Sequence, residues 1–171
     1  QSVVSREADF AIATEVPEEA EGLVSIPAFE WEHVAVVPSK HPLAGRPLSL
    51  QALVRHPLVT YVEEFAGRRR IDRAFADAGL QPDVVLAAID TDVIKTYVRL
   101  GLGVGIMSGL GYDAAHDRGL VAMPAGALFG MNHVRLAVRR DAFLRGFAIA
   151  FIELFAPGVD RRVLDRLAQR R

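Results

Sequence analysis

The chain has 171 residues, of which 51% are hydrophobic, and its formal net charge is −1. This apolar content is enough for a buried core and argues against a disordered chain. The small net charge gives no sign of broad nucleic-acid affinity, and the absence of cysteine excludes disulfides, thiol catalysis and cysteine-based zinc sites.

Short apolar segments alternate with amphipathic ones along the chain, after what looks like a helix end at residues 2–7. We predict strands at 10–13, 23–26, 33–37, 58–61, 84–88, 102–107, 120–123 and 134–139. We predict helices at 50–54, 68–78, 92–100 and 143–155. Pro27 and Pro38 are expected to end the second and third strands. The alternation predicts an α/β fold with largely parallel sheets.

Two segments differ from the rest in charge. The stretch VPEEAEG at 16–22 is predicted to be an acidic loop, and RRVLDRLAQRR at 161–171 a solvated amphipathic helix rather than a nucleic-acid-binding arm. No signal peptide opens the chain, and its longest uncharged runs are too short to span a membrane, so we expect a cytoplasmic protein. Because Gln1 is not an initiator methionine, we expect a fragment or an isolated domain.

Three glycines alternate in the stretch TDVIKTYVRLGLGVGIM: Gly101, Gly103 and Gly105. In a nucleotide-binding fingerprint the glycines precede a helix, whose N-terminus then meets the phosphate. Here the helix comes first, and Gly101 is placed to end it. The order of elements therefore favours a packing role for these glycines over a phosphate-binding one.

Polar residues at strand ends are the first candidates for ligand binding, because open α/β sheets bind ligands at the carboxyl ends of their strands. Thr14 follows the first predicted strand, and Thr60 and Tyr61 end another. The alternative for Thr14 is that it only caps its strand. Sequence position alone leaves both roles open.

Charged and capping residues at two predicted helix starts are further candidates. Arg68 and its two neighbours lie at the positive end of a helix, which is favourable only if an anion compensates them; the alternative is a solvated arginine run. Thr91 and Asp92, with Asp90, are suited to capping the next helix, or to facing an amine on an effector.

Patterns typical of enzymes and metal sites do not emerge from the sequence. Ser108, in GIMSGLG, lacks the G-x-S-x-G spacing of a nucleophile elbow. The five histidines show no metal-binding spacing. We therefore expect neither a catalytic nor a metal site.

Four motifs follow one another in a characteristic order and spacing: DFAIATE, then HPL, then PLVTY with FAGR, then DVIKTYVRLGLGVG. Together they closely resemble the effector-binding domain of LysR-type transcriptional regulators. The resemblance is to the cysteine and sulfur-assimilation (CysB-like) branch and covers roughly residues 5–165.

The resemblance implies a two-lobed α/β fold like that of periplasmic binding proteins, with an effector site between the lobes. It places lobe I at 1–29 and 134–171, lobe II at 33–130, and the crossovers near 29–33 and 130–134. Family members begin with a helix-turn-helix domain and the first strands of lobe I. These do not precede Gln1, so lobe I is expected to be incomplete at its N-terminus.

The resemblance also implies site residues. Thr14 matches a threonine that contacts bound anions, whereas Ala66 stands where the cysteine regulators carry a hydroxyl, usually of threonine. The backbone N–H groups of Ala66 and Gly67 remain available to an anion. The expected effector is a small anionic metabolite such as acetylserine, sulfate or adenylyl sulfate, with no cofactor.

Family membership would further imply a homo-oligomer, with dimers of effector domains and a tetramer at full length. Promoter DNA would be bound only through the missing N-terminal domain, and no membrane contact is expected. The alternatives are a solute-binding protein of a transport system with the same fold, and an enzyme, for which we find no constellation of residues.

Overall fold

The computed structural model describes residues 2–14, 22–160 and 162–164. The strands are β1 (Phe10–Ala13), β2 (Leu23–Pro38), β3 (Leu58–Tyr61), β4 (Val84–Ala88), β5 (Val104–Ser108), β6 (Leu120–Pro124) and β7 (Met131–Arg139). The helices are α1 (Leu50–Leu53), α2 (Ala66–Asp77), α3 (Thr91–Arg99), α4 (Gly126–Phe129) and α5 (Gly146–Phe155). Most of the predicted acidic loop at 16–22 and of the predicted helix at 161–171 lies outside the described residues.

The chain divides into two compact units. The first combines Gln1–Glu30 with His133–Arg171, and the second is the continuous segment Trp31–Asn132. Strands β2 and β7 each contribute residues to both units.

The second unit is built on a mixed sheet with a core on each face. Strand β3 runs parallel to β4 and β5, whereas β2 is antiparallel to β5 and β6. Alternate residues of the strands bury themselves on opposite faces, as the two-residue period of a strand requires. Helix α2 covers one face through Ile71 and Phe75, and α3 covers the other through Ile94 and Val98. All four side chains are buried, each contributing roughly 1.5–3 kcal/mol by leaving water.

The first unit packs α5 against a smaller antiparallel pairing. Strand β1 pairs with β7 in a register that places Phe10 opposite Val138. Val138 and Ile152 are fully buried in one apolar cluster, against which Phe10 packs. The ring of Phe10 also stacks on that of Phe151, with centroids 5.1 Å apart.

The prediction of largely parallel sheets was wrong, because three of the five pairings whose register is described are antiparallel. The two strands predicted at 23–26 and 33–37 are one continuous strand. Pro27 does not end it. Pro27 is exposed and lies in the part of β2 that runs beside β7, before the pairings with β5 and β6 begin at His33 and Val34. A strand tolerates proline where its missing N–H would face away from the neighbouring strand.

Several element ends also differ from the prediction. Residues 2–6 form turns in place of a helix end, and the short helix α4 was not foreseen. Helix α2 begins two residues earlier than predicted, at Ala66, because the N–H groups of the third and fourth helical residues already donate to the carbonyl oxygen of Phe65. Helix α5 begins at Gly146, since the preceding residues alternate between buried and exposed as an extended segment does.

The alternating glycines have a packing role. Gly101 adopts a φ of +80° just after α3, and the following N–H groups close the helix end. A β-carbon on Gly105 would lie 2.8 Å from Val98 and 3.0 Å from Ile94, so its absence lets α3 approach β5 closely.

Candidate functional site

The carboxyl ends of β3, β4 and β5 lie along one edge of the sheet in the second unit, because these strands are parallel to one another. Helix α2 follows β3 and α3 follows β4, so the first turns of both helices lie at this edge. This is the edge at which open α/β sheets bind ligands. Seven of the eight predicted site residues lie in the second unit, and Thr14 lies in the first.

Thr60 and Tyr61 are both buried at the end of β3. The hydroxyl of Thr60 donates to the carbonyl oxygen of Ile106 at 2.8 Å, so its single proton is committed within the sheet. The phenol oxygen of Tyr61 accepts from the N–H of Ser108 at 2.7 Å. Burial raises the pKa of Tyr61, with the Ser108 hydrogen bond opposing part of that shift. Both side chains therefore contribute to the structure of the sheet edge.

The first turn of α2 presents free donors. Phe65 is the N-cap residue and makes no side-chain capping bond. Among the described residues, nothing accepts the N–H groups of Ala66 and Gly67. Such N–H groups carry the positive end of the helix dipole, which favours an anion.

Arg68 is buried, and its guanidinium contacts acceptors of the chain itself. Its Nε donates to Asp72 at 2.7 Å and its Nη1 donates to the carbonyl oxygen of Tyr61 at 2.8 Å, while Nη2 lies 4.0 Å from Glu63. The solvated arginine run considered as the alternative does not describe this residue. Arg68 holds the first turn of α2 against the end of β3.

His33, which the sequence did not identify as a candidate, lies fully buried in β2 beside the first turn of α2. Its Nδ1 lies 3.4 Å from the side-chain amide nitrogen of Asn132. Because that amide nitrogen only donates, Nδ1 is the acceptor and the proton of the neutral ring sits on Nε2. Nε2 has no hydrogen-bond partner among the described residues. A β-carbon on Gly67 would lie 3.0 Å from it.

The electrostatic setting keeps His33 neutral. Burial, and secondly the positive charge of Arg70, lower the pKa of His33 from 6.5 to about 4. The Nε2–H group, the first N–H groups of α2 and the Arg70 guanidinium are all donors or positive charges in the same neighbourhood. Leaving a buried donor without an acceptor costs about 1–3 kcal/mol. The neighbourhood of the first turn of α2 therefore combines donors and positive charge, with no acceptor for Nε2 among the described residues.

The start of α3 is capped by Asp90, whose carboxylate accepts from the N–H of Val93 at 2.8 Å. Asp92 is exposed and forms an ion pair with Lys95 at 3.0 Å. Thr91 packs against Gly111, where a β-carbon would come within 2.6 Å of its side chain. Of the three predicted capping candidates, Asp90 is the cap.

Thr14 follows β1 directly and is half-buried. Its side chain makes no hydrogen bond within the described part of the chain. No described residue therefore occupies its hydroxyl.

No group of three or more histidine, aspartate or glutamate side chains among the described residues could hold a metal ion. No helix in that part of the chain is long and apolar enough to cross a membrane.

Comparison with known proteins identifies relatives that are regulators. The chain is 48% identical over 167 residues to the HTH-type transcriptional regulator CysB of Burkholderia cenocepacia, covering 97% of this chain and 53% of the relative. It is 46% identical over 158 residues to the regulator SsuR of the same species, covering 92% and 51%. The chain thus spans about half the length of these curated relatives. Both relatives are named as transcriptional regulators, which agrees with the prediction that this chain is not an enzyme.

Solved structures confirm the predicted class of fold. The cofactor-binding domain of the Cbl transcriptional regulator superposes with a TM-score of 0.82 at 37% identity, over 99% of this chain and 75% of that one. The effector-binding domain of QuiR shares the fold at 20% identity, with a TM-score of 0.72, over 92% of this chain and 74% of that one. A profile of the LysR substrate binding domain matches residues 1–159, and the chain therefore belongs to the LysR substrate-binding-domain family.

Proposed function

We propose that this chain senses a small anionic metabolite of sulfur assimilation on behalf of a LysR-type transcriptional regulator. Sulfate, acetylserine and adenylyl sulfate are the candidate effectors. The names of the relatives CysB, SsuR and Cbl support the branch of the family. The charge of the effector is supported by the geometry at the start of α2.

The unpartnered Nε2–H group of His33 carries this proposal. It lies against Gly67, and among the described residues the N–H groups of Gly67 and Ala66 also have no acceptor. An oxyanion would accept from these donors and remove the cost of leaving a buried donor unsatisfied. Ala66 cannot add a hydroxyl donor, so the anion relies on N–H groups on this side.

The two compact units are proposed to be the two lobes of the effector domain, with the effector shifting the population between conformations of the regulator. Promoter DNA would be contacted through the helix-turn-helix part of the longer protein, which places the regulator in the cytoplasm. We also propose a homo-oligomer, with dimers of effector domains and a tetramer at full length.

Calorimetric titration with sulfate, acetylserine and adenylyl sulfate tests the proposal, with chloride at matched ionic strength as the control. In parallel, the titration of the His33 ring is followed by nuclear magnetic resonance with and without the tightest of the three. An anion beside Nε2 favours the protonated imidazole, so the pKa of His33 should rise from about 4 when the effector is bound.

Two results would count against the proposal. If none of the three anions binds saturably, small anions of sulfur assimilation are excluded as effectors of this chain. Binding that leaves the His33 titration unchanged would place the anion away from the first turn of α2. The exposed imidazole of His116, whose Nδ1 contacts Asp113, serves as an internal reference for the spectra.

A further inference from the structure

A positively charged cavity lies in the first unit, between the N-terminal turn and the end of β7. Its volume is about 300 Å³, and its polar lining includes Arg6, Arg139, Arg140 and Asp141. None of these residues belongs to the predicted effector site, and all four lie in the first unit.

One carboxylate faces three guanidinium groups in this cavity. Oδ2 of Asp141 accepts a hydrogen bond from Nη2 of Arg6 at 3.2 Å. The Nε of Arg139 lies 3.3 Å from Oδ1 of the same carboxylate. The second contact lacks hydrogen-bond geometry, and the buried Nε of Arg139 has no hydrogen-bond partner in the described part of the chain. The described lining therefore carries an excess of two positive charges and an unsatisfied donor.

The remaining contacts hold the arginines in place without neutralising them. Nη1 of Arg139 donates to the carbonyl oxygen of Val3 at 2.9 Å, which ties the N-terminal turn to β7. Arg140 is exposed, and its Nη2 is 3.5 Å from the carbonyl oxygen of Leu23, a weak contact for a charged donor. Both acceptors are neutral, so among the described residues the two excess positive charges have no counter-charge.

From this arrangement we infer that the cavity is an auxiliary binding site for a tetrahedral dianion, sulfate or phosphate. A dianion matches the excess of two positive charges. Its oxygens can accept from the planar guanidinium groups two at a time, which is the geometry in which arginine binds oxyanions most strongly. The cavity volume admits an ion of this size together with water.

Backbone and arginine side-chain signals followed by nuclear magnetic resonance during addition of sulfate test the inference, with sodium chloride keeping the ionic strength constant. The signals of Arg6, Gly22, Arg139, Arg140 and Asp141 should shift together and reach saturation. Arg140→Gln should weaken this binding about tenfold, because one charged donor is lost from an exposed site.

Arg55→Gln is the matched control, because it removes the same charge from an exposed position in the second unit. It should leave the saturation curve unchanged. Shifts that grow linearly with sulfate, shifts that chloride reproduces, or equal weakening by Arg55→Gln would each overturn the inference. A parallel titration with phosphate assigns the ion: saturation by both means that either tetrahedral dianion is accepted, and saturation by sulfate alone means that the site is selective.

The residues that shift also separate this inference from the proposed function. Sulfate at the proposed effector site would move the signals of Gly67 and His33, and sulfate at the auxiliary site would move those around Arg140. Either set can therefore respond without the other.

Discussion

The ammonium group of Lys95 lies 3.0 Å from the carboxylate of Asp117, and both side chains are buried in the second unit. Asp117 also accepts from the N–H of Asp113 at 3.0 Å and from Arg99 at 2.8 Å. Burial alone would raise the pKa of Asp117, but these hydrogen bonds and the Lys95 charge outweigh it, so the pKa falls below 3.8. The pair fastens α3 to the loop that precedes β6.

Asp117→Asn should therefore destabilise the protein by about 3 kcal/mol, because it leaves the buried Lys95 without its buried counter-charge. Urea unfolding measures this loss. Asp77→Asn is the matched control at an exposed position and should change stability by less than about 0.5 kcal/mol. Equal stability of Asp117→Asn and the unmodified protein would show that the remaining contacts of Lys95 suffice.

His33 should make stability depend on pH in a defined window. The unfolded chain binds a proton at this ring near pH 6.5, whereas the folded chain does so only near pH 4. Unfolding therefore takes up a proton between these values, and the free energy of unfolding falls as the pH falls through the window. The fall in the pKa of His33 from 6.5 to about 4 corresponds to roughly 3 kcal/mol in the free energy of unfolding.

The measurement is the difference in stability between the unmodified protein and His33→Gln at pH 7, 5.5 and 4. Glutamine keeps an N–H donor but does not titrate, so its variant should lack the part of the slope that His33 supplies. His116→Gln, at an exposed ring, should keep the full slope. Parallel slopes in all three proteins would contradict a depressed pKa at His33.

Thr14→Val and Ala66→Thr test the residues assigned by resemblance to the family. Loss of the Thr14 hydroxyl should weaken effector binding by about 1–2 kcal/mol, roughly five- to thirtyfold, with little loss of stability because Thr14 ends a strand. Ala66→Thr should tighten sulfate binding, because a hydroxyl joins the free N–H groups of the first turn. Calorimetry measures both. Unchanged affinity in both variants would place the anion elsewhere.

Gly103→Ala should cost about 3 kcal/mol in stability, because its β-carbon would overlap the carbonyl oxygen of Pro57. That oxygen accepts from the N–H of Val104 at 2.8 Å, which keeps the two backbones together. Gly146→Ala is the control at the start of α5, where a β-carbon meets no atom within 4 Å. It should stabilise the protein by about 0.5–1 kcal/mol. Thermal unfolding distinguishes the two signs.

The outer face of α3 should take part in the proposed homo-oligomer. In α3, Ile94 and Val98 are fully buried, but Val93 remains exposed. Tyr97 and Leu100 continue the exposed apolar face, and Leu100 is 75% exposed. Helices of soluble monomers normally turn polar residues outward.

Leu100→Glu should shift the protein towards monomers in analytical ultracentrifugation, because a charge would be buried at the interface. Ala76→Glu adds the same charge to the exposed face of α2 and should leave assembly unchanged. Identical sedimentation of Leu100→Glu and the unmodified protein would exclude this face from the interface.

Local periodicity predicted the elements whose cause is local. Strands β1, β3 and β4 have the predicted bounds, and α3 is displaced by one residue. The role of Pro27 was not readable from the sequence, because its effect depends on which neighbouring strand would have needed its missing donor. The position of the proton on the buried His33 ring depends on Asn132, which is 99 positions away. Local sequence patterns cannot predict which nitrogen of the His33 ring lacks a hydrogen-bond partner, because that depends on this distant residue.

The arrangement of the two units along the chain has a consequence for synthesis on the ribosome. Every residue of the second unit has been made once Asn132 is added, whereas the first unit still lacks β7 beyond that point and all of α5. Domains fold as units while the chain emerges. The nested second unit can therefore complete its sheet first. In the first unit, β1 pairs with β7, which follows it about 125 positions later in the chain. Strand β1 must therefore stay unpaired until β7 has been made.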